Sequence, residues 1–398
     1  MKAYTVKKDI SSERAIVADD MILTTDMPTC AGSLMLDGYM SLLESEALTR
    51  LKAAGYSVSG KADVGEFAID LLGETSYRSM ITEDGKIKNA AAQIVASGES
   101  LAALCLDVNG SVRRAATQSG LVSVKPTYGT VSRYGTVPVA CSGETVSVMA
   151  CNSDTCAEIL SKIVGHDDKD GTSLSNEDCD KILSNRSPAR RIALISSMST
   201  GIDADVKAKL DSAVDALKGQ GIEVCVIDSD IIAASRPAWN VLMTAELCNN
   251  VSRYDGVKYG YRAENFSGID ELYTNSRTEA FGELLKTAII FGSETLSTEN
   301  YMKVYDKCLR TRRVICEEFS KIFEEFDAVI MPACSTLAYN EQWVFENKFA
   351  AFEENFYTAP ASITGLPAVV AGSLQIIGKA FSEGTLLATA KMLEKEGR

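Results

Sequence analysis

A serine that follows a glycine turn is the first feature of this sequence that could carry out covalent chemistry. Ser111 comes directly after Asn109 and Gly110, and a run of small residues follows it. Glycine adopts left-handed backbone angles at little cost, so this spacing predicts a tight turn that presents Ser111 at the start of a short helix. A serine hydroxyl in such a place becomes a nucleophile when a neighbouring base accepts its proton.

Histidine does not supply that base. His166 is the single histidine of the chain, and it lies in the polar segment 166–180, HDDKDGTSLSNEDCD. A histidine among so many charged residues is typical of a solvated loop, so we expect no catalytic role for it.

Charge and composition exclude several classes of function. The chain has 398 residues, 46% hydrophobic and 24% charged, and its net charge is −14. This composition is ordinary for a globular protein with a sizeable core. An acidic body repels nucleic-acid phosphates, and the densest basic run, residues 186–191, is short, so we expect no direct contact with nucleic acid.

The cysteines indicate a reducing compartment. There are eleven, an odd number, with no C-x-x-C pair and no zinc-type spacing. They predict free thiols, no metal site and a cytoplasmic location. No apolar run approaches about 18 residues and the N-terminus lacks an apolar signal core, so we expect no membrane attachment.

Strand-like and helix-like segments alternate along the chain. Residues 101–108 are a continuous apolar run and predict a buried strand, and residues 190–228 predict a strand–helix–strand unit. Residues 39–55 have helical periodicity, and 365–378 predict a single strand. The pattern indicates one α/β domain over 1–398, with 166–190 as a surface loop or linker.

Several ordered motifs resemble the amidase signature family, and among its members the A subunit of the glutamyl/aspartyl-tRNA amidotransferases. The run VKPTYGTVSRYGTV is similar to the family's L-K-P-T-Y-G-R-V-S-R-Y-G-L-V, and residues 24–39, 251–262, 279–293 and 358–368 also resemble the A subunit. The resemblance implies the amidase signature fold, a mixed central β-sheet covered by helices on both faces.

The resemblance also implies a chemistry. The family uses a serine nucleophile, a second serine with a cis peptide bond and a lysine base, and the A subunit releases ammonia from glutamine. The family turn D-T-G-G-S-I-R falls on residues 107–113, which keeps Ser111 as the nucleophile. Backbone N–H groups of Val108, Asn109 and Gly110 would then stabilise the oxyanion.

The other two catalytic positions have changed. The family motif I-K-D-N-I falls on residues 17–21, so Ala18 replaces the lysine. An ungapped count back from Ser111 places Ile87 on the cis-serine, where we expect an ordinary trans peptide. Lys86 or Lys88 could replace the base only if burial lowered its pKa by roughly three units.

The substrate-binding positions are partly kept. The family arginine that holds the glutamine carboxylate falls on Arg312, which suits bidentate binding. The family aspartate that pairs with the ammonium group falls on Asn355, which has lost the charge. The family also carries a longer helical segment before its lysine motif, whereas residues 1–17 alone precede Ala18, and its hairpin after G-L-P-A is shortened.

Three hypotheses follow. The first is a catalytically impaired or inactive relative of the A subunit, a pseudoenzyme of protein biosynthesis that binds or scaffolds. The second is an active amidase or glutaminase that supplies ammonia for transamidation of charged tRNA, with Ser111 as nucleophile. The third is a non-enzymatic sensor of a small amide or amino acid. The resemblance implies the B and C subunits of the amidotransferase as partners and no cofactor.

Overall fold

The computed structural model describes residues 3–10, 12–78 and 81–394. The strands in these ranges are β1 (Tyr4–Lys7), β2 (Ala15–Asp19), β3 (Ser57–Ala62), β4 (Thr82–Glu83), β5 (Lys86–Ile87), β6 (Ala102–Asp107), β7 (Val122–Lys125), β8 (Thr145–Ala150), β9 (Arg191–Ile195), β10 (Glu223–Ile227), β11 (Ala328–Pro332), β12 (Ala368–Ala371) and β13 (Leu374–Gly378).

The α-helices of the same ranges alternate with these strands. They are α1 (Glu46–Ala53), α2 (Ala90–Ala96), α3 (Ser111–Ser119), α4 (Ser153–Ile163), α5 (Asn176–Cys179), α6 (Ala204–Gly219), α7 (Asp230–Ala233), α8 (Ser235–Val251), α9 (Ile269–Ala280), α10 (Glu283–Thr295), α11 (Asp306–Glu325), α12 (Glu341–Glu346), α13 (Ala350–Thr364) and α14 (Glu383–Lys391).

One mixed sheet of eleven described strands forms the centre, in the order β1-β3-β2-β6-β8-β7-β12-β13-β11-β9-β10. Strand β2 is parallel to both β3 and β6, and β9 is parallel to both β10 and β11. The other neighbours are antiparallel, among them β6 with β8 and β7 with β12. The predicted mixed sheet is therefore confirmed, and β9, α6 and β10 form the predicted strand–helix–strand unit.

Helices cover both faces of the sheet, as the sequence predicted. Side chains alternate along a strand, so Val17 of β2 packs into one apolar cluster and its neighbours Ile16 and Ala18 into the other. Helices α2 and α3 supply the cluster that contains Val17, whereas α1, α4 and α14 contribute to the cluster that contains Ala18. Burial on both faces explains why β6 is apolar throughout.

Two predicted elements differ from the structure. The helix predicted over 39–55 begins at Glu46, because Ser41 accepts a hydrogen bond from the Leu43 N–H and turns the chain before it. The strand predicted over 365–378 is two antiparallel strands, β12 and β13. Gly372 and Ser373 both have positive φ, 56° and 71°, and they reverse the chain between the strands.

Candidate functional site

Ser111 begins α3 at the point where β6 ends. Gly110, the residue before it, is left-handed with φ of 83°, and it forms the turn that the sequence predicted. A side chain at Gly110 would place its Cβ 2.4 Å from Thr358, so glycine is required there on steric grounds as well. Ser111 itself is 7% exposed.

A buried ion pair holds the turn before Ser111. The Asp107 carboxylate accepts hydrogen bonds from Arg113 Nε at 2.8 Å and from the Gly110 N–H at 3.1 Å. Arg113 also donates to Gln375 and Ser362, each at 2.7 Å. Burial alone would raise the pKa of Asp107, but the Arg113 guanidinium lowers it below its ordinary value. One N–H of the predicted oxyanion turn is thereby already engaged.

The cavity beside Ser111 has a volume of about 20 Å³. A cavity of this size holds about one water molecule, whereas binding sites for small molecules are typically ~300–1,000 Å³. Its polar lining comes from Asp19, Asp63, Asp70, Asn89 and Ser111 itself. None of the described residues that line it is a lysine or a histidine, so the surroundings of the hydroxyl are acidic.

The segment around Asp70 forms one side of this cavity. Nothing in the sequence indicated that this segment would pack against Ser111. Asp70 is 1% exposed and packs so closely on Gly65 that a Cβ there would lie 1.7 Å from its carboxylate. Arg114, fully buried on α3, donates to Asp70 O at 2.9 Å and to Leu71 O at 3.2 Å. These bonds fasten the segment against the helix that begins with Ser111.

Ala18 and Ile87, which we predict to replace the catalytic lysine and the cis-serine, do not line the Ser111 cavity. Ala18 is fully buried in the apolar cluster of the opposite sheet face, and the next residue, Asp19, lines the cavity instead. Ile87 is buried in the β4–β5 hairpin, and no described peptide bond is cis. Lys86 is exposed, Lys88 is half-buried, and neither lines the cavity.

The predicted ammonium-binding position contacts the predicted oxyanion turn. The Asn355 side-chain amide lies 2.7 Å from Asn240 Oδ1 and packs against Asn109. The Asn109 amide donates to Ile69 O at 2.8 Å and accepts from Trp239 Nε1 at 3.3 Å. Asn355 is fully buried and Trp239 is 1% exposed, so side chains occupy the space between the two positions.

Arg312 and His166 make contacts of a structural kind. Arg312 is half-buried on α11, and its Nη2 donates to Ser142 O at 3.0 Å. His166 is exposed, and its ring nitrogens bond Leu174 O and Asp168, each at 2.9 Å. Among the predicted site residues, the structure brings Asn109, Asn355 and Ser111 into one region of the molecule, because Asn355 packs against Asn109 and Ser111 lies two residues further along the chain.

Comparison with known protein families shows to which family this chain belongs. The Amidase family model matches residues 16–387. The chain belongs to the amidase family. The match runs from β2 through α14 and includes the turn, the ion pair and the cavity described above.

Curated relatives of this amidase-family chain include three proteins that carry the name of the glutamyl-tRNA(Gln) amidotransferase A subunit. The protein of Lachnoclostridium phytofermentans is 35% identical, and the match covers 96% of this chain and 82% of that one. That of Acinetobacter baumannii (strain AYE) is 34% identical, over 92% and 79% of the two chains. That of Lactobacillus gasseri is 31% identical, over 96% and 84%.

Solved structures agree on the fold. A crystal structure of the glutamyl-tRNA(Gln) amidotransferase A subunit from Thermotoga maritima superposes with a TM-score of 0.82 at 25% identity, over 99% of this chain and 87% of that one. A 6-aminohexanoate cyclic dimer hydrolase has a TM-score of 0.79 at 16% identity, over 96% and 84% of the two chains. The amidase signature fold predicted from the motifs is confirmed.

Within this amidase fold, a buried lysine and its partners were missed by sequence reasoning. Lys61 of β3 is fully buried and lies across from Ala18 in the sheet. Its Nζ donates to Ile22 O at 2.5 Å and to Thr29 Oγ1 at 2.8 Å, and it pairs with Asp20 at 3.2 Å. It lies outside the lining of the Ser111 cavity. In the sequence, Lys61 follows the segment 56–60, YSVSG, and that local pattern does not signal its burial.

The described residues offer neither a metal cluster nor a membrane span. No group of three or more His, Cys, Asp or Glu side chains in residues 3–10, 12–78 and 81–394 is arranged to hold a metal ion. In the same ranges, no helix combines the length and the apolar character needed to cross a bilayer.

Burial gives the acidic groups around the cavity unusual proton affinities. Burial raises the pKa of Asp19 to about 7 and that of Asp63 to about 6. The pKa of Asp70 is also raised, first by burial and then by the nearby Glu74 carboxylate. The Lys61 ammonium lowers the pKa of Asp19, and the Arg78 guanidinium lowers that of Asp63. The increase caused by burial is larger in both cases.

We expect this chain to become more stable as the pH falls from 7.5 to 5. In this window the folded carboxyls at Asp19 and Asp63 bind protons that the unfolded chain, with ordinary pKa values, has released. Since one pKa unit corresponds to about 1.4 kcal/mol, the gain in unfolding free energy should exceed about 2 kcal/mol. Urea denaturation at both pH values measures it.

Asp63→Asn is the matched variant for this experiment. It removes one of the acidic groups with a raised pKa while keeping the shape that accepts the bonds from Ser76 and the Val64 N–H. The variant should gain less on acidification than the original chain. A stability that falls steadily from pH 7.5 to 5 would show that these carboxyls are ionised in the folded protein.

Proposed function

We propose that this amidase-family chain is related to the glutamine-hydrolysing subunit of tRNA-dependent amidotransferase, no longer hydrolyses carboxamides, and serves as a binding or scaffolding protein. The observation that carries the proposal is the 20 Å³ cavity beside Ser111, which holds a water but no amide substrate. The contact of Asn355 with Asn109 supports it, because a substrate would have to separate these two side chains.

The missing base supports the same conclusion. An unassisted serine hydroxyl is a weak nucleophile, and general-base help contributes typically 10²–10⁴-fold to the rate. The Asp19 carboxyl that lines the cavity is a poor substitute, because its two oxygens already accept backbone N–H groups, those of Met21 at 3.0 Å and Leu106 at 2.7 Å. Ser111 then acts as the first residue of α3 and not as a nucleophile.

We propose the B and C subunits of the amidotransferase as the partners, because three relatives bear the name of its A subunit. The acidic net charge of −14 agrees with a chain that leaves tRNA contacts to another protein of the complex. The intact sheet and the buried Arg113–Asp107 pair would give this scaffolding protein a stable body without an active site.

We expect no ammonia release from glutamine or asparagine above that of the Ser111→Ala variant. The measurement compares both proteins from pH 5 to 10, alone and mixed with the B and C subunits, beside the Thermotoga maritima relative as a positive control. Size-exclusion chromatography of the mixtures reports whether the chain co-elutes with the B and C subunits, independently of activity.

An active amidase remains the second candidate, favoured by Ser111 on a left-handed glycine turn at the start of a helix. Activity that is lost in Ser111→Ala would establish it and contradict the proposal. A rise of that activity with pH that is lost when Lys86 or Lys88 is replaced by methionine would identify that lysine as the base. Binding of glutamine without turnover would instead support the amino-acid sensor.

A further inference from the structure

A larger cavity lies elsewhere on the molecule, beside the first turns of α10 and α13. Its volume is about 610 Å³, within the range of small-molecule sites. We call it the α10–α13 cavity. It lies on the other side of the 70–75 segment from Ser111, since Leu71 and Thr75 line it while Asp70 and Leu72 line the small cavity.

The body of the α10–α13 cavity is apolar and partly aromatic. Leu71, Leu284 and Val344 line it together with Phe345 and Phe349. Phe345 is 64% exposed and Phe349 is 54% exposed, so two aromatic rings stand open to a ligand. Such surfaces favour a flat apolar group, because covering exposed aromatic area is favourable and rings stack on one another.

One cation of the wall, Lys286, forms no direct ion pair among the described residues, and its acidic neighbours Glu66 and Glu283 act on it only at longer range. Glu283 pairs with Lys348 at 2.6 Å, and the Glu74 carboxylate accepts the N–H groups of Leu71 and Leu72. Lys286, in contrast, donates to a backbone carbonyl, that of Thr278, at 3.1 Å and forms no ion pair with any described residue.

The helices around the cavity also favour a negatively charged ligand, and the nearest buried acid opposes such a ligand only weakly. The first turns of α10, with 13 residues, and α13, with 15, both line the cavity, and neither helix has a side-chain cap. Their N-terminal ends add partial positive charge. Glu66 lies behind Gly282, whose N–H it accepts, and burial raises its pKa to about 7, which reduces its opposing charge.

We infer that the α10–α13 cavity binds a small aromatic carboxylate, with its ring against Phe345 and Phe349 and its carboxylate at Lys286. This site is separate from Ser111 and goes beyond the proposed function, because it requires neither an open amidase site nor partner subunits.

Matched probes test the inference on the full chain. 3-Phenylpropanoate should bind with a Kd below about 1 mM, and its neutral isostere 3-phenylpropanamide should bind at least about tenfold more weakly. Calorimetry measures both. The chain has two tryptophans, and Trp343, next to Val344 and 39% exposed, should report binding by its fluorescence while Trp239 is buried.

Variants locate the two halves of the site. Lys286→Met should weaken the carboxylate about tenfold and leave the amide unchanged, whereas Phe349→Ala should weaken both. Lys303→Met, an exposed lysine elsewhere, and Ser111→Ala should change neither. Trp343→Phe should abolish the fluorescence change but keep the calorimetric signal.

Three results would overturn the inference: no binding of the carboxylate at 5 mM, equal affinity for carboxylate and amide, or full affinity in folded Lys286→Met. Circular dichroism confirms that each variant is folded. If Lys286→Met fails to fold, Thr287→Trp, which adds a bulky ring to the lining of the cavity, must abolish binding of the carboxylate, and retained affinity would contradict the inference.

Discussion

Replacing Ala18 by lysine is expected to destabilise the fold by more than about 3 kcal/mol and to leave glutamine hydrolysis undetectable. Ala18 is fully buried, and its register partners in the sheet are Lys61 of β3 and Leu104 of β6. A second ammonium group there would be desolvated beside a lysine already bonded to Asp20, and such buried unpaired charges are costly. Thermal and urea denaturation measure the loss.

Ala18→Met separates the two causes of this effect. Methionine has a similar length and no charge, so it reports the cost of overpacking, typically about 1–3 kcal/mol. The difference between the lysine and methionine variants is then the cost of burying the charge. A stable Ala18→Lys protein that releases ammonia would show that the amidase site is intact apart from its base, and the proposed function would be wrong.

Replacing Arg113 by methionine is expected to cost about 3–5 kcal/mol of unfolding free energy. The guanidinium is fully buried and satisfies the Asp107 carboxylate, Gln375 Oε1 and Ser362 Oγ. Removing it leaves a buried carboxylate without its counter-charge, which is the costly case for buried ion pairs. Urea denaturation at pH 7.5 measures the change.

Arg313→Met, on α11, is the control for this variant. Arg313 pairs with Glu317 one turn away, but its side chain is 79% exposed, and such pairs contribute less than about 1 kcal/mol. The double variant Arg113→Met/Asp107→Asn should recover part of the lost stability, because it removes the stranded charge. Equal losses in Arg113→Met and Arg313→Met would contradict the role assigned to the buried pair.

The sequence alone predicted the fold class, from the alternation of segments and the order of motifs, and the turn before Ser111, from a local pattern. In this chain the apolar run forms β6, Gly110 takes the left-handed conformation that glycine tolerates, and the small residues that follow form α3. The order of motifs indicated the amidase family, and the resemblance predicts that Ala18 stands where the family has lysine. Differences such as the late start of α1 came from a local hydrogen bond at Ser41 that periodicity does not reveal.

Tertiary structure alone decided how the space around Ser111 is filled. Asp70 packs on Gly65, and Arg114 of α3 donates to the Asp70 carbonyl. These contacts form only once β3, the 70–75 segment and α3 have assembled. Asn109 and Asn355 are 246 positions apart, and their contact depends on where α13 docks. The α10–α13 cavity likewise is lined by segments near residues 71, 284 and 349, which are far apart in the chain, so no local sequence pattern could predict it. Sequence determines each element through neighbours along the chain, whereas cavities and buried charges depend on neighbours in space.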